Sequence, residues 1–404
     1  MTMGLNMFFR ILACCLATTA ARGQELEILV TNPYNVRRAN EPVVVPYVEI
    51  QKNVPTDLAR KLRLLDESNR SMAFQVDDLD GNGSPDEFVF VADFAPNQDR
   101  RFVLTSGADS LALPAGPFRT DVANFKRIGG VSVSVDDDDG PGTLRSQGQY
   151  PFDGVGWESE VIGYRLYLDE RNAVDIQAKK IPGLHWAYIG NTGVNYQLDA
   201  YWGMDPLHVG GALGIGGMGF WIKDAVNHPM RLDRRRCRVI ARGPVRAVAR
   251  VDYDGWDIGG EKVDVTSLFV IYGGDRMTEH RVMLRSAAPR TIAVGIVKHA
   301  HARASWDPAA ATMFTVGAQS RTNDSLLMAL TFDPAAVVRK TEDKANHLVL
   351  LRLDKNTTLR YFISAYWQGE TGTMLSESGT KDLLQTMRRR LTEPLNVRFM
   401  KPRP

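Results

Sequence analysis

The sequence predicts a mostly β protein, with a small N-terminal β domain followed by a long antiparallel β-sandwich. Three observations carry this. Runs of β-branched and aromatic residues bounded by Gly, Asp, Asn or Pro recur along the chain. Only two segments carry a helical pattern, which places the chain in the mostly β class. No blade-length repeat appears, so extended sandwich sheets are favoured over a propeller.

In chain order, the predicted strands are Glu27–Val30, Val43–Tyr47, Phe88–Ala92, Val131–Val135, Val161–Leu168, Val245–Tyr253, Val263–Tyr272, His280–Leu284, Ile292–Val297 and His347–Leu353. A helix is expected over Pro55–Leu64 with Thr56 as its N-cap. A second is expected over Lys381–Leu391, following Thr380, stopping before Pro394 and packing on a sheet edge. A chain of 404 residues exceeds what one core usually holds, so two domains are expected. The acidic, turn-rich run Asp136-Asp137-Asp138-Asp139-Gly140-Pro141-Gly142 marks the boundary, giving 24–145 and 146–404.

Residues 1–23 have the form of a signal peptide. Arg10 precedes the apolar run Ile11–Ala20, and small residues at Ala21 and Gly23 precede Gln24. The expectation is an exported protein, periplasmic or extracellular. Cys14 and Cys15 lie inside this run, but too little apolar sequence precedes them for a lipoprotein anchor to be the first choice. No later stretch is long enough to span a bilayer. Cys237 then remains alone, without a partner for a disulfide or a zinc cluster, and reads as a buried structural thiol. A formal net charge of +2 argues against nucleic acid or an anionic membrane as partner. The runs Arg234-Arg235-Arg236 and Arg388-Arg389-Arg390 read as solvated faces.

Three motifs bear on chemistry. Asp78-Leu79-Asp80-Gly81-Asn82-Gly83-Ser84-Pro85-Asp86 places oxygen ligands at relative positions one, three, five and nine, with a glycine at six. This is the spacing of a calcium loop, and Asp78, Asp80, Asn82 and Asp86 are the candidate ligands of a structural calcium ion. Position twelve is Val89 in place of the usual glutamate, with Glu87 as a substitute. Gly214-Ile215-Gly216-Gly217-Met218-Gly219 matches a dinucleotide fingerprint in form only, since Phe220-Trp221-Ile222 continues as an apolar strand. No organic cofactor is expected. Among the histidines, His185 lies beside Trp186, and His208 follows Tyr201-Trp202-Gly203-Met204-Asp205. Aromatic rings, a carboxylate and a histidine in a loop suit a sugar site. His280 shares a strand face with Val282 and Leu284 and reads as a core residue, while Lys298 and His299 lie beyond Ile296.

The richest segment is Gly156–Lys180. If Val161–Asp169 is a regular strand, Ile162, Tyr164, Leu166 and Leu168 share one face, and Gly163, Arg165 and Tyr167 share the other. Trp157, Arg165 and Tyr167 are assigned to a ligand side, and Glu158, Glu160 and Tyr164 to a supporting side.

Trp157-Glu158-Ser159-Glu160, Tyr164-Arg165-Leu166-Tyr167 and Asp175-Ile176-Gln177-Ala178-Lys179 together resemble the signature of the secreted bacterial family called domain of unknown function 4861. Leu184-His185-Trp186, the Gly210–Gly219 loop and the Asp78–Asp86 turn fit the same pattern. The resemblance implies a galactose-mutarotase-like supersandwich similar to that of several polysaccharide lyases. It also implies a part in breaking down uronic-acid-containing polysaccharides, as a lyase or dehydratase. Elimination from a uronate needs a cationic clamp for its carboxylate, a base for the C5 proton and an acid for the departing oxygen. Arg165 fits the clamp, His208 or His185 the base, and Tyr167 or Tyr164 the acid. Trp157, Trp186, Trp202, Asp205, Glu160, Lys298 and His299 are the candidate contacts to an oligosaccharide. Hydrolase or epimerase chemistry on the same fold is the alternative enzymatic reading, and carbohydrate binding without catalysis is the third.

Overall fold

The computed structural model describes residues 25–53, 62–106, 118–141 and 150–400. One layer of the main sandwich is a nine-stranded sheet whose strands lie in the order 137–141, 234–241, 246–257, 262–272, 278–285, 358–367, 325–332, 312–318 and 302–307. The facing layer is built from two sheets. One has six strands, ordered 203–204, 174–179, 162–167, 154–159, 120–128 and 131–134, and the other has five, ordered 225–227, 215–222, 290–297, 346–353 and 337–342. They meet where Val174 bridges to Gly214 and the Val297 N–H donates to the Gly214 carbonyl at 2.8 Å. Gly214 has φ +69°, and a Cβ there would stand 1.9 Å from the Val174 carbonyl oxygen, so only glycine allows this junction. Its glycine-rich motif thus serves backbone approach, and the apolar strand expected after it is Ile215–Ile222.

One continuous core fills the space between the layers. Trp157 stacks on Phe269 with ring centroids 4.4 Å apart, and Tyr361 reaches across to donate to the Gly216 carbonyl at 2.8 Å. The named strands pair antiparallel, the fold class expected, and the Val174–Gly214 bridge between two of the sheets is parallel.

A smaller sandwich forms from a five-stranded sheet, ordered 396–400, 26–31, 99–106, 62–65 and 71–72, and a three-stranded sheet, 38–46, 87–94 and 74–77. Its core holds Ile28, Val45, Phe88, Phe90 and Phe102. The pairing does not follow the boundary drawn from the sequence. Strands 120–128 and 137–141 belong to the main sandwich, while 396–400 returns to pair with Leu26–Thr31. The acidic run misled because its aspartates serve a strand. Asp137 and Asp139 pair with Arg236 and Arg234 on the neighbouring strand, so the arginine run has an ionic role too.

All ten predicted strand segments fall on strands, with Tyr47 instead opening a short helix, Tyr47–Asn53. The helix expected over 55–64 is overturned at its end, where Leu62–Leu65 pairs with Asp99–Ser106; residues 54–61 lie outside the described residues. The C-terminal helix, Glu377–Thr392, is capped by Ser376 accepting from the Gly379 N–H. It lies on the outward face of the nine-stranded sheet rather than at an edge, with Leu384 and Met387 against Leu327, Ala329 and Phe362. No described helix is long and apolar enough to cross a membrane. The leader, including Cys14 and Cys15, lies outside the described residues.

Candidate functional site

Residues 154–179 form three strands, Gly154–Ser159, Ile162–Tyr167 and Val174–Lys179. The chain reverses at Glu160–Val161, so Trp157 stands opposite Tyr164, and Glu158 opposite Gly163. This corrects the assignment of faces. Trp157 joins Tyr164 in the sandwich core, where its indole N–H donates to Thr278 Oγ1 at 2.9 Å. The Tyr164 hydroxyl donates to the Arg276 carbonyl at 2.7 Å and accepts from the Ala365 N–H at 3.2 Å. Buried there, Trp157 contacts no ligand and Tyr164 delivers no proton to one. Arg165 and Tyr167 do share the opposite face, together with Glu158, Asp175, Gln177 and Lys179.

That outward face is closed by the following segment. Gly156 and Gly163 leave a flat place on the sheet, and the Trp186 indole fills it, 2.7 Å from where a Cβ on Gly156 would stand. Trp186 begins a short helix, Trp186–Thr192, and the Glu158 carboxylate accepts the N–H groups of His185 and Trp186 at 2.9 and 2.8 Å. Glu158 also pairs with Lys179, whose ammonium donates to the Ser159 and Gly183 carbonyls. Burial pushes the Lys179 ammonium down, opposed by Glu158. Beside them, burial and then Glu158 push Asp121 up to about 6. The His185 ring lies 5.5 Å from Trp202, with Nε2 3.1 Å from the Ile181 carbonyl, and burial lowers its pKa. Glu160 is held by Arg119 and the Gly274 N–H at 2.6 and 2.7 Å. Trp186 and Trp202 are 1% and 2% exposed, which removes them as stacking platforms. The exposed rings of this segment are Tyr188 and Tyr201.

At the other end of the face lies a buried ionic network. Arg165, 1% exposed, pairs with Asp175 and, at 3.3 Å, with Asp205. It also donates to the Phe152 carbonyl at 2.9 Å and to the Tyr196 hydroxyl at 2.7 Å, while the Tyr167 hydroxyl donates to Asp175 at 2.9 Å. Arg165 is therefore consumed internally and is not a clamp for an incoming carboxylate, and Tyr167 is bound into the same network. Burial, then Asp175, hold the Asp205 carboxyl well above the usual carboxylate range.

The network reaches solvent through a residue that the sequence reading did not select. Arg321 Nε lies 3.6 Å from Asp205 Oδ1, and Arg321 Nη1 lies 3.4 Å from Nδ1 of the exposed His208. His299 adjoins, its pKa lowered by burial and then by His208. Of the predicted residues, the structure thus brings together Arg165, Tyr167, Asp205, His208 and His299. His185, Trp186, Trp202 and Glu160 gather around Glu158 and Lys179. Lys298 points away from both, donating to the Asp343 carbonyl at 2.7 Å and pairing with Glu342 at 3.1 Å. The sequence signal for Arg321 is thin: an arginine within the turn-forming run Gln319-Ser320-Arg321-Thr322-Asn323-Asp324.

Asp78, Asp80 and Asp86 each offer a carboxylate oxygen within 4.8 Å of the others, a donor set suited to a hard cation. The Asn82 side chain lies beside them, its amide donating to the Asp80 carboxylate at 2.9 Å while its oxygen accepts the Ser84 N–H at 2.8 Å. Glu87 is no substitute ligand either, being paired with Arg246 and Arg281 at 2.6 and 2.8 Å.

The model of a family described as domain of unknown function (DUF4861) matches residues 30–397. No curated protein matches the chain. Solved structures similar to it include an alpha-mannosidase from Enterococcus faecalis V583, at 9% identity and TM-score 0.46 over 93% of this chain. A protein in the glycosyl hydrolase family 38 from Enterococcus faecalis gives 9% identity and TM-score 0.44, also over 93%. The chain spans 46% and 47% of those chains, less than half of each.

Proposed function

The chain belongs to the family described as domain of unknown function (DUF4861), and from there we propose that it is an exported carbohydrate-active enzyme, a lyase or dehydratase acting on uronate-containing oligosaccharides. The observation that carries this reading is the surface group of His208 and Arg321 backed by the buried Asp205. An imidazole beside a guanidinium is what elimination alpha to a carboxylate requires.

Arg321 is a permanent cation, so the nitrogen of His208 that faces it carries the lone pair, and Nε2 carries the proton. A uronate carboxylate bound to Arg321 in place of that contact would bring its C5 proton to Nδ1. The guanidinium neutralises the carboxylate and so acidifies C5. Nδ1 takes the proton, the C5–H electron pair forms the C4=C5 bond, and the C4–O bond breaks with its electrons on oxygen. Nδ1–H then passes that proton to the departing oxygen, and His208 ends as the neutral tautomer it began as. Arg165, Asp175 and Asp205 are positioning groups in this scheme, fixing Arg321 from behind.

The test is incubation with oligogalacturonates while following the absorbance of the unsaturated uronate. Elimination raises it, and His208→Ala and Arg321→Gln each lower the rate by about 100-fold or more. New reducing ends without that absorbance would replace elimination with hydrolysis, and full turnover in both variants would remove the site.

A further inference from the structure

We infer that the groove between the two sandwiches is a second binding site, for an acidic oligosaccharide, separate from the His208 surface. It is a cavity of about 1100 Å³, large enough for several sugar residues. Its floor is the outward face of the nine-stranded sheet, where alternate residues of three strands present Thr266, Arg281, Arg285, Thr358 and Arg360. The opposite wall comes from the smaller sandwich, including Asp80, Asn82 and Asp86 of the acidic loop. A ligand here touches both sandwiches at once.

The charges on the floor are of two kinds. Some are spent on the fold. Glu279 is buried, and although burial works against it, Arg281 and Arg360 pull its carboxyl down to about 2, so it stays a fixed anion. Arg281 is further tied to Glu87 across the junction of the two sandwiches at 2.8 Å. The others face the groove. Arg285 is exposed and makes no hydrogen bond or close ion pair among the described residues, although Asp264 stands opposite it across the strands and its charge reaches Asp254. The Arg360 side chain is 45% exposed, and Glu279 engages it only through Nε, which leaves both terminal nitrogens open. Two cations on the floor, with the hydroxyl and amide groups of Thr357, Thr358 and Asn356 beside them, match the carboxylates and hydroxyls of an acidic sugar chain, which lies against this floor and away from Glu41, Asp80 and Asp86 elsewhere in the lining. The aromatic residues of the wall, Tyr272 and Phe362, are 4% exposed, so no ring is offered for stacking a nucleic-acid base.

The inference takes its ligand class from the uronate reading but depends on different residues, which keeps the two apart. Calorimetry on the full chain compares an oligogalacturonate, a malto-oligosaccharide of equal length and an oligoglutamate. The oligogalacturonate binds, the other two bind at least about tenfold more weakly, and the Arg285→Gln/Arg360→Gln double variant loses about tenfold or more of the affinity. Arg285→Gln alone, at an exposed position whose nearest carboxylates (Asp254 and Asp264) keep access to solvent or to other partners, gives part of that loss with little change in melting temperature. Arg321→Gln leaves this binding intact even if it abolishes turnover. Affinity unchanged in the double variant, binding lost with Arg321→Gln, equal binding of oligoglutamate, or no binding of the oligogalacturonate would each overturn the proposal.

Discussion

His280 shows how one side chain can set the acid limit of a fold. It is 1% exposed, its ring 4.1 Å from Phe269 and 4.8 Å from Tyr361, with neither nitrogen hydrogen-bonded. Burial pushes its pKa down to about 3. The unfolded chain binds a proton there below the ordinary value of 6.5, while the folded chain does not. The stability this residue permits is therefore full above pH 6.5 and is lost as pH falls toward 3, at up to about 1.4 kcal/mol per pH unit. His280→Leu is expected to flatten the fall of melting temperature between those limits, and an unchanged pH profile would show that other groups govern it. The strand alternation through Val282 and Leu284 was enough to place this histidine inward. Arg165 was not legible in the same way. Its strand face is correct, but nothing in the spacing shows that residues 180–212 fold back over it, or that Asp175 and Asp205 use its charge. Cys237 was, and its burial raises the thiol to about 12, far from a reactive thiolate.

At the scale of elements, runs of β-branched residues identified strands well, whereas hairpins hidden in polar sequence went unseen. Glu160-Val161 carries no Gly, Asn or Pro to announce a turn, so the alternation of faces was carried across it from Trp157 to Tyr167, where two strands meet. The error propagated, because a reversal of direction changes which residues share a face. The Asp78–Asp86 loop was legible for the opposite reason, since its spacing is itself the signal. Backbone N–H groups of the turn already donate to Asp78 and Asp86, and a hard cation would add to that compensation where the three carboxylates converge. Millimolar calcium is expected to raise the melting temperature of the chelated protein by a few degrees, about the effect of 1–2 kcal/mol of linkage, and Asp78→Ala/Asp86→Ala should abolish the shift. No shift in the native chain would leave the loop as an Asp/Gly turn. The Arg238 guanidinium beside Gly81 gives that turn a cation of its own.

For the whole molecule, the two sandwiches are joined by more than chain continuity. Arg246, fully buried, donates to Asp77 and Glu87 at 2.7 and 2.6 Å, and Leu79 and Val89 pack against Val245, Val248 and Leu268. A buried pair of this kind costs about 3–5 kcal/mol when one partner is removed, so it resists separation of the two units. Length and composition indicated two cores, but strand order depends in part on pairings between segments far apart in sequence, such as Asp137–Pro141 with Arg234–Ala241, which no local pattern reveals. The partnership of Asn396–Met400 with Leu26–Thr31 is the extreme case. Removing residues 396–404 is expected to expose the edge of Leu26–Thr31 and bring an earlier melting transition, with protease cleavage in the smaller sandwich. A single unchanged transition would show that this strand is dispensable.

That strand also gives the protein a clasp. The first described strand finds its outer neighbour only once residue 400 has been made, so the smaller sandwich cannot be completed as the chain emerges in order. The unit that begins first finishes last, and the main sandwich must form while its leading segment is still waiting. Loss of a few residues at the far end would then register as instability at the near one, more than 360 positions away in sequence.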